Sequence, residues 1–159
     1  MSFLGIRKYA KAMDQAENYD QWKEAAQAHD VASGRDRWRM RDQSTQFDNV
    51  SIRIRLDRLR SMRARHDYRG LLFALYEGIH GNMGGMGKSS LYEPAMFGTK
   101  QLIIDYVEEI VDALELLAGP TVDDITFEEK LEFFRRAHHC FGQSALLMSG
   151  SGTLLYFHV

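Results

Sequence analysis

Apolar residues recur at helical spacing in one segment after another, and this pattern constrains the fold more than any other feature. It predicts helices over residues 20–32, 47–64, 67–80 and 99–117, and a further helix from residue 126 onward. The longest has one broad apolar face, made of Leu102, Ile103, Tyr106, Ile110, Ala113, Leu114 and Leu117. About five helices therefore precede any strand, and we expect a mainly α fold.

Residues that favour helix ends flank these segments. Asn18 or Asp20 is suited to cap the first predicted helix, and Gly34 to end it. Thr126 and Glu129 have the spacing of a capping box at the start of the last helix. The predicted apolar side of that helix contains Phe127, Leu131, Phe134 and His138.

A single strand is predicted near the end of the sequence, over residues 144–148. It is a short apolar run followed by the turn Ser149-Gly150-Ser151-Gly152, a pattern typical of a buried parallel strand. Such a strand needs neighbours, and the remaining sequence supplies none, so we expect a fragment or a strand completed by another chain. We divide the sequence into a helical domain, 1–120, and a second unit, 121–159, with a helix, this strand and the turn.

Charge is distributed unevenly along the chain. Residues 35–69 contain eleven arginines and five aspartates, whereas residues 101–132 contain ten acidic residues and one lysine. Pairing between packed helices or solvated faces is the favoured interpretation; an anionic surface such as phospholipid headgroups is the next, and nucleic acid the least favoured. The candidates for an anionic surface are Arg53, Arg55, Arg58, Arg60, Arg63 and Arg65.

Three short motifs resemble functional sites, but the spacing of their residues does not match what those sites require. In the glycine-rich stretch 81–89, a P-loop would need glycine where Asn82 stands, so we expect a flexible connection with positive φ. The run 138–140 cannot direct three ligands at one ion from adjacent helical positions, so no metal or cofactor is expected. Ser151 has glycines at the neighbouring positions instead of two residues away, as a G-x-S-x-G nucleophile elbow requires.

The composition and the N-terminal sequence indicate the cellular compartment. A single cysteine, Cys140, excludes a disulfide framework and fits a reducing compartment. The N-terminal residues have no apolar core of a signal peptide, and no apolar run reaches the length of a membrane span. We therefore expect a cytoplasmic protein.

The final segment, 126–159, resembles the start of the patatin domain of long triacylglycerol lipases and phospholipases. The matching elements are a Glu-Lys-Leu helix, Phe141-Gly142, Ala145-Leu146-Leu147 and Phe157-His158-Val159. The preceding sequence is similar to the helical domain before patatin domains in the same proteins. That similarity is carried by Tyr19, Trp22, Ala25-Ala26, Asp30, Trp38, Phe47-Asp48, Arg55-Leu56, Leu59, the turn 81–85, Leu91-Tyr92, Ile103, Tyr106-Val107 and Glu109.

The resemblance implies an α/β patatin-type sheet and a location at the periphery of a membrane or a lipid droplet. It also implies a Ser-Asp dyad, which this chain lacks, so catalytic residues are expected elsewhere in a longer protein. It places an oxyanion loop at Gly150, Ser151, Gly152 and Thr153, where backbone N–H groups would stabilise a developing alkoxide. Two departures stand out: Ser151 replaces a common glycine, and Leu155 replaces the last glycine of the loop.

The sequence is compatible with two functions. In the first, the chain is the N-terminal part of a patatin-like lipid acyl-hydrolase and is inactive alone. Its partners are then a lipid or membrane surface and the rest of the patatin domain. Alternatively, it is a non-catalytic helical interaction module, or a membrane-peripheral one, that acts alone. Neither function involves nucleic acid.

Overall fold

The computed structural model describes residues 3–78, 82–120, 122 and 124–141. Among them, seven α-helices follow one another: α1 Phe3–Asp14, α2 Tyr19–Ser33, α3 Arg35–Met40, α4 Asn49–Ala64, α5 Tyr68–Gly78, α6 Gln101–Ala118 and α7 Phe127–Phe141. Two short 3₁₀ turns, Met83–Gly85 and Ser89–Leu91, lie between α5 and α6. The mainly α fold is confirmed, while the predicted strand 144–148 and its glycine turn lie outside the described residues.

Helices α4 to α7 enclose the core. Helix α4 packs against α5 and α6, α5 also contacts α6 and α7, and α1 pairs with α2, which leads into α3. The apolar periodicity places one buried stripe of each helix against its neighbours. The buried residues of these stripes include Ile52, Leu56, Leu59, Leu71, Leu72, Leu75, Leu102, Ile103, Tyr106, Ala113, Leu117, Phe133 and Ala137.

Local capping explains where several helices begin and end. The Asn18 side chain accepts a hydrogen bond from the Gln21 amide at 3.0 Å, which confirms one of the two candidate caps of α2. Gly34 ends that helix in the left-handed region, at φ 78°, as glycine allows. Asp48 caps α4 by accepting from the Ser51 amide at 3.0 Å.

The predicted capping box at the start of α7 is confirmed. The Thr126 amide donates to Glu129 Oε2 at 2.8 Å, and the Glu129 amide donates to Thr126 Oγ1 at 3.2 Å. Hydrogen bonds from the Thr126 backbone and hydroxyl, with a smaller contribution from Arg69, lower the pKa of Glu129 below its ordinary value of 4.5. The box therefore contributes to the start of α7 at neutral pH.

This geometry predicts a pH dependence. Because the pKa of Glu129 is lower in the folded chain than in the unfolded one, the stabilisation is present above the unfolded pKa and is lost as pH falls through the folded pKa. In a pH titration followed by ¹³C NMR of the Glu129 carboxyl, we expect a midpoint below 4.5, and Thr126→Ala should move it part of the way back. A midpoint at or above 4.5 would contradict the capping geometry.

The expected number of about five helices was too low. Helix α1 has Ile6, Tyr9, Ala10 and Met13 at helical spacing, so its periodic signal was present. Helix α3 has only six residues and none of them is buried, which leaves no periodicity to detect. It follows directly on the Gly34 cap of α2.

The predicted apolar side of α7 is partly wrong. Phe133 and Ala137 are buried, whereas Phe127 is 72% exposed and Leu131 is 38% exposed. Phe133 stacks edge-on against Tyr76 of α5, with ring centroids 5.1 Å apart, and this contact selects which side of the helix faces the core. Helix α7 thus joins the core of the preceding helices, and the boundary between residues 120 and 121 stays a prediction.

The glycine-rich connection uses positive φ, as expected. Gly84 and Gly85 have φ of 58° and 80°, a region that side chains rarely adopt. The Gly84 carbonyl accepts from the Asp48 amide at 2.8 Å, so the turn packs against the start of α4.

Candidate functional site

The catalytic element predicted for this chain is not part of the described structure. The oxyanion-loop candidates Gly150, Ser151, Gly152 and Thr153 all lie outside the described residues. Their role stays a prediction.

Two of the six candidate arginines for an anionic surface form a network between α4 and α6. Arg63 donates in bidentate fashion to Glu109, with Nε–Oε1 2.7 Å and Nη2–Oε2 2.8 Å. Its Nη2 also lies 3.2 Å from Asp112, while Arg60 lies 3.5 Å from both Asp105 and Glu109. Internal pairing, the favoured interpretation of the charge asymmetry, is thus confirmed for this pair of helices.

The other four arginine candidates differ in their surroundings. Arg53 pairs with Asp42 at 2.6 Å, and Arg58 lies 3.6 Å from Glu77. Arg55 and Arg65 form no ion pair within the described part of the chain. Arg65 is exposed at the end of α4. Binding of an anionic surface through these side chains stays a prediction.

Glu109 is the buried centre of the network, and its side chain is only 2% exposed. Its hydrogen bonds raise the pKa of Arg63 above the ordinary arginine value, because they favour the charged guanidinium. The sequence indicates that Glu109 is buried, because it lies three residues after Tyr106 and four before Ala113, within the apolar face of α6. A carboxylate at such a position requires a cationic partner.

Replacing Glu109 should therefore cost more than replacing its exposed neighbour. We expect Glu109→Gln to lower the free energy of unfolding by about 1.5–3 kcal/mol, because charge-assisted hydrogen bonds are lost at a buried position. The matched control is Asp112→Asn, which removes one charge beside the same Arg63 at a 52% exposed site and should cost about 0–1 kcal/mol. Urea unfolding of both variants measures the difference, and equal costs would contradict a buried network centre.

A second buried carboxylate, Asp30, joins α2 to the segment before α6. Its side chain is 1% exposed. It accepts from the Met96 amide at 2.9 Å, the Phe97 amide at 3.1 Å and Arg39 Nη2 at 3.2 Å. Arg39 also donates to the Phe97 carbonyl, so both members of the ion pair hold the same stretch of backbone. The sequence analysis named Asp30 only as a residue that carries the resemblance to the helical domain before patatin domains, and it did not predict this buried ion pair.

Lys100 is the third buried charge, at 2% exposure. Its Nζ donates to the carbonyls of Trp38 at 2.7 Å and Arg41 at 2.8 Å, and it lies 4.4 Å from the centroid of the Trp38 ring. These carbonyls belong to the end of α3, so the ammonium caps that helix. Burial, and the nearby Arg41 charge, lower the pKa of Lys100. A cavity of about 380 Å³ opens beside it.

The described residues contain neither a membrane span nor a cluster of metal ligands. None of the helices there is long and apolar enough to cross a membrane. The same part of the chain contains no group of three potential metal ligands. The polar clusters around Asp30 and Glu109 bridge helices and hold the fold.

Comparison with known proteins identifies the family. Residues 5–139 match the family described as a domain of unknown function, DUF3336. The chain belongs to this family. No solved structure gives a significant match.

Several curated proteins are similar to nearly the whole chain. The triacylglycerol lipase ptl3 of Schizosaccharomyces pombe is 34% identical over 92% of the chain and 30% of its own length. The triacylglycerol lipase ptl2 of the same yeast is 30% identical over 96% of the chain and 24% of its length. A patatin-like phospholipase domain-containing protein of Yarrowia lipolytica is 34% identical over 95% of the chain and 18% of its length. The chain thus spans less than a third of each of these relatives.

Proposed function

We propose that this chain is the N-terminal part, a helical domain followed by the start of the patatin domain, of a patatin-like lipid acyl-hydrolase of the triacylglycerol lipase or phospholipase type. The observation that carries the proposal is the similarity of nearly the whole chain to proteins named triacylglycerol lipase and patatin-like phospholipase. The resemblance of residues 126–159 to the start of a patatin domain agrees with it. The helical domain would dock on the catalytic sheet and help to bring it to a lipid surface.

The sequence indicates which catalytic elements this chain would supply and which would come from the rest of the patatin domain. No G-x-S-x-G elbow occurs in the sequence, and an acyl transfer without an activated nucleophile lacks its first step. The chain would contribute the oxyanion loop around Gly150 and Gly152, whereas the Ser-Asp dyad would come from the remainder of the patatin domain. The contacts of Asp30 and Glu109 would keep the helical domain rigid enough to position that loop.

An assay of ester hydrolysis by the 159-residue chain tests directly whether the nucleophile lies outside this chain. We expect no turnover above background with p-nitrophenyl esters or a triacylglycerol emulsion. A matched Ser151→Ala variant serves as the control, since Ser151 is the serine that stands between two glycines. Turnover by the wild type that Ser151→Ala abolishes would overturn the proposal that the nucleophile lies elsewhere.

The alternative is a non-catalytic, membrane-peripheral module that acts alone. The observation that favours it is the exposed, arginine-rich surface of α4, in which Arg65 has no carboxylate partner among the described residues. Co-sedimentation with anionic and neutral vesicles tests it. Stronger binding to anionic vesicles, reduced in Arg58→Gln/Arg65→Gln, is expected for such a module, and equal or absent binding to both would exclude it.

A further inference from the structure

The cavity beside Lys100 concentrates positive charge. Arg37, Arg41 and Lys100 contribute to its lining, and no carboxylate does. Arg37 and Arg41 are exposed at its mouth, while Lys100 is buried. The other lining residues are polar or aromatic and include Trp38, Ser44 and Thr45. Its volume of about 380 Å³ is within the range of small-molecule sites, roughly 300–1,000 Å³.

The carboxylate that acts electrostatically on Lys100, Asp42, is bound to another arginine. Asp42 is not part of the lining, and its Oδ2 accepts from Arg53 Nε at 3.1 Å and Nη2 at 2.6 Å. It acts on Lys100 only at a distance, where it opposes the stronger effects of burial and of Arg41, which lower the pKa of Lys100. The three cations around the cavity thus lack a directly bound counter-anion within the described part of the chain.

The lining contains the kinds of hydrogen-bond donor that an oxyanion needs. Lys100 has three N–H donors: two are directed at carbonyls and Nζ also lies 4.4 Å from the centroid of the Trp38 ring, so at most one donor is left for a ligand. Two guanidinium groups can each donate a pair of parallel N–H bonds to phosphate oxygens. Ser44 Oγ accepts from the Gln46 amide at 3.1 Å and retains its own hydroxyl proton as a donor. Thr45 is exposed beside it and adds a second hydroxyl.

We propose that this cavity, between the end of α3 and the loop before α4, binds a phosphate monoester group. Phosphate fits better than a carboxylate because it is dianionic and presents three oxygens, which matches three cations and two hydroxyls. A phospholipid headgroup and a soluble phosphate ester share this chemistry. The site is distinct from the arginine surface of α4 and does not depend on the proposed hydrolase function.

The test compares two double variants that remove the same charge. Arg37→Gln/Arg41→Gln changes the cavity, and Arg58→Gln/Arg65→Gln changes the exposed surface of α4. Lys100 is left in place because it caps α3, and its removal would disturb the fold. Circular dichroism of each variant confirms that the helices are retained.

Inorganic phosphate is the first probe, titrated into the chain labelled with 5-fluorotryptophan and followed by ¹⁹F NMR. The chain has two tryptophans. Trp38 lines the cavity, whereas Trp22 stacks on Tyr19 and serves as an internal control, assigned with Trp22→Phe. We expect a saturable shift of the Trp38 resonance, and an affinity roughly tenfold or more weaker in the cavity variant because charge-assisted hydrogen bonds are lost. The α4 variant should bind as the wild type does.

Vesicles distinguish the two sources of phosphate. Phosphatidic acid carries a phosphate monoester and phosphatidylserine does not, so vesicles of each in phosphatidylcholine are matched for surface charge. Preference for phosphatidic acid that the cavity variant loses identifies a lipid headgroup, and phosphate binding without that preference identifies a soluble ester. The proposal is overturned if Trp38 shows no saturable shift, or if both double variants lose phosphate affinity equally.

Discussion

Replacing Asp30 by alanine is expected to lower the free energy of unfolding by about 3–5 kcal/mol, because it breaks a buried ion pair and leaves one partner uncompensated. Arg39, 15% exposed, would lose its counter-ion. The amides of Met96 and Phe97 would lose their acceptors as well. A loss of this size is a large fraction of the total stability of a typical domain, about 5–15 kcal/mol.

Two further variants make the Asp30 result specific. Asp57→Ala removes a carboxylate from an exposed position of α4 and should stay within about 0.5 kcal/mol. Asp30→Asn keeps one carbonyl acceptor and should fall between the two. Urea unfolding followed by circular dichroism gives all three values. An Asp30→Ala cost as small as that of Asp57→Ala would show that the link between α2 and residues 96–97 is not formed.

Replacing Phe133 by alanine should cost about 3–5 kcal/mol, the usual consequence of removing a buried aromatic side chain. Phe133 is 1% exposed, and its ring packs edge-on against both Tyr76 and Phe134. Because α7 contacts the core through this residue, the variant should also expose the helix to amide hydrogen exchange. Stability and exchange together report how firmly α7 is held.

Phe127→Ala is the matched control for Phe133→Ala. It makes the same chemical change on the same helix, at a side chain that is 72% exposed, and should stay within about 0.5 kcal/mol. The pair therefore decides which side of α7 faces the core. A larger loss for Phe127→Ala than for Phe133→Ala would restore the apolar side that the sequence suggested.

The features that could be predicted from the sequence depend on residues close together in the chain. The capping bonds of Asn18 and Thr126 span three positions, and the broad face of α6 repeats every three or four. Such signals arise from backbone geometry, which is the same in every helix. They were sufficient to predict the mainly α fold of the described residues and most of the helix ends.

The burial of Asp30 and Lys100 could not be predicted, because the partners of these two residues are distant in sequence. Asp30 meets the Phe97 amide 67 positions away, and Lys100 meets the Trp38 carbonyl 62 positions away. Only the packed fold shows that these groups are buried and satisfied. The side of α7 posed the same problem, because its adjacent apolar residues Phe133 and Phe134 allow more than one stripe. The contact with Tyr76 decides between them.

The cavity beside Lys100 depends on charge that the sequence shows and on a packing that only the fold shows. The excess of arginine between residues 35 and 69 was visible in the sequence, and pairing within the fold accounts for Arg39, Arg53, Arg60 and Arg63. Arg37 and Arg41 line the cavity instead. Like Arg55 and Arg65, these two arginines have no directly bound carboxylate within the described residues, and their place in the lining makes their charge available to a ligand.

Whether this chain is the non-catalytic helical part of a lipid acyl-hydrolase is tested most directly by a lipase assay on the product of the complete coding sequence. That product should contain a G-x-S-x-G motif after Val159 and hydrolyse a triacylglycerol or phospholipid emulsion. Replacing the serine of the motif by alanine should abolish the activity, and residues 1–159 alone should show none. Hydrolysis by residues 1–159 alone, or activity of the complete product that survives the serine replacement, would contradict the proposed function.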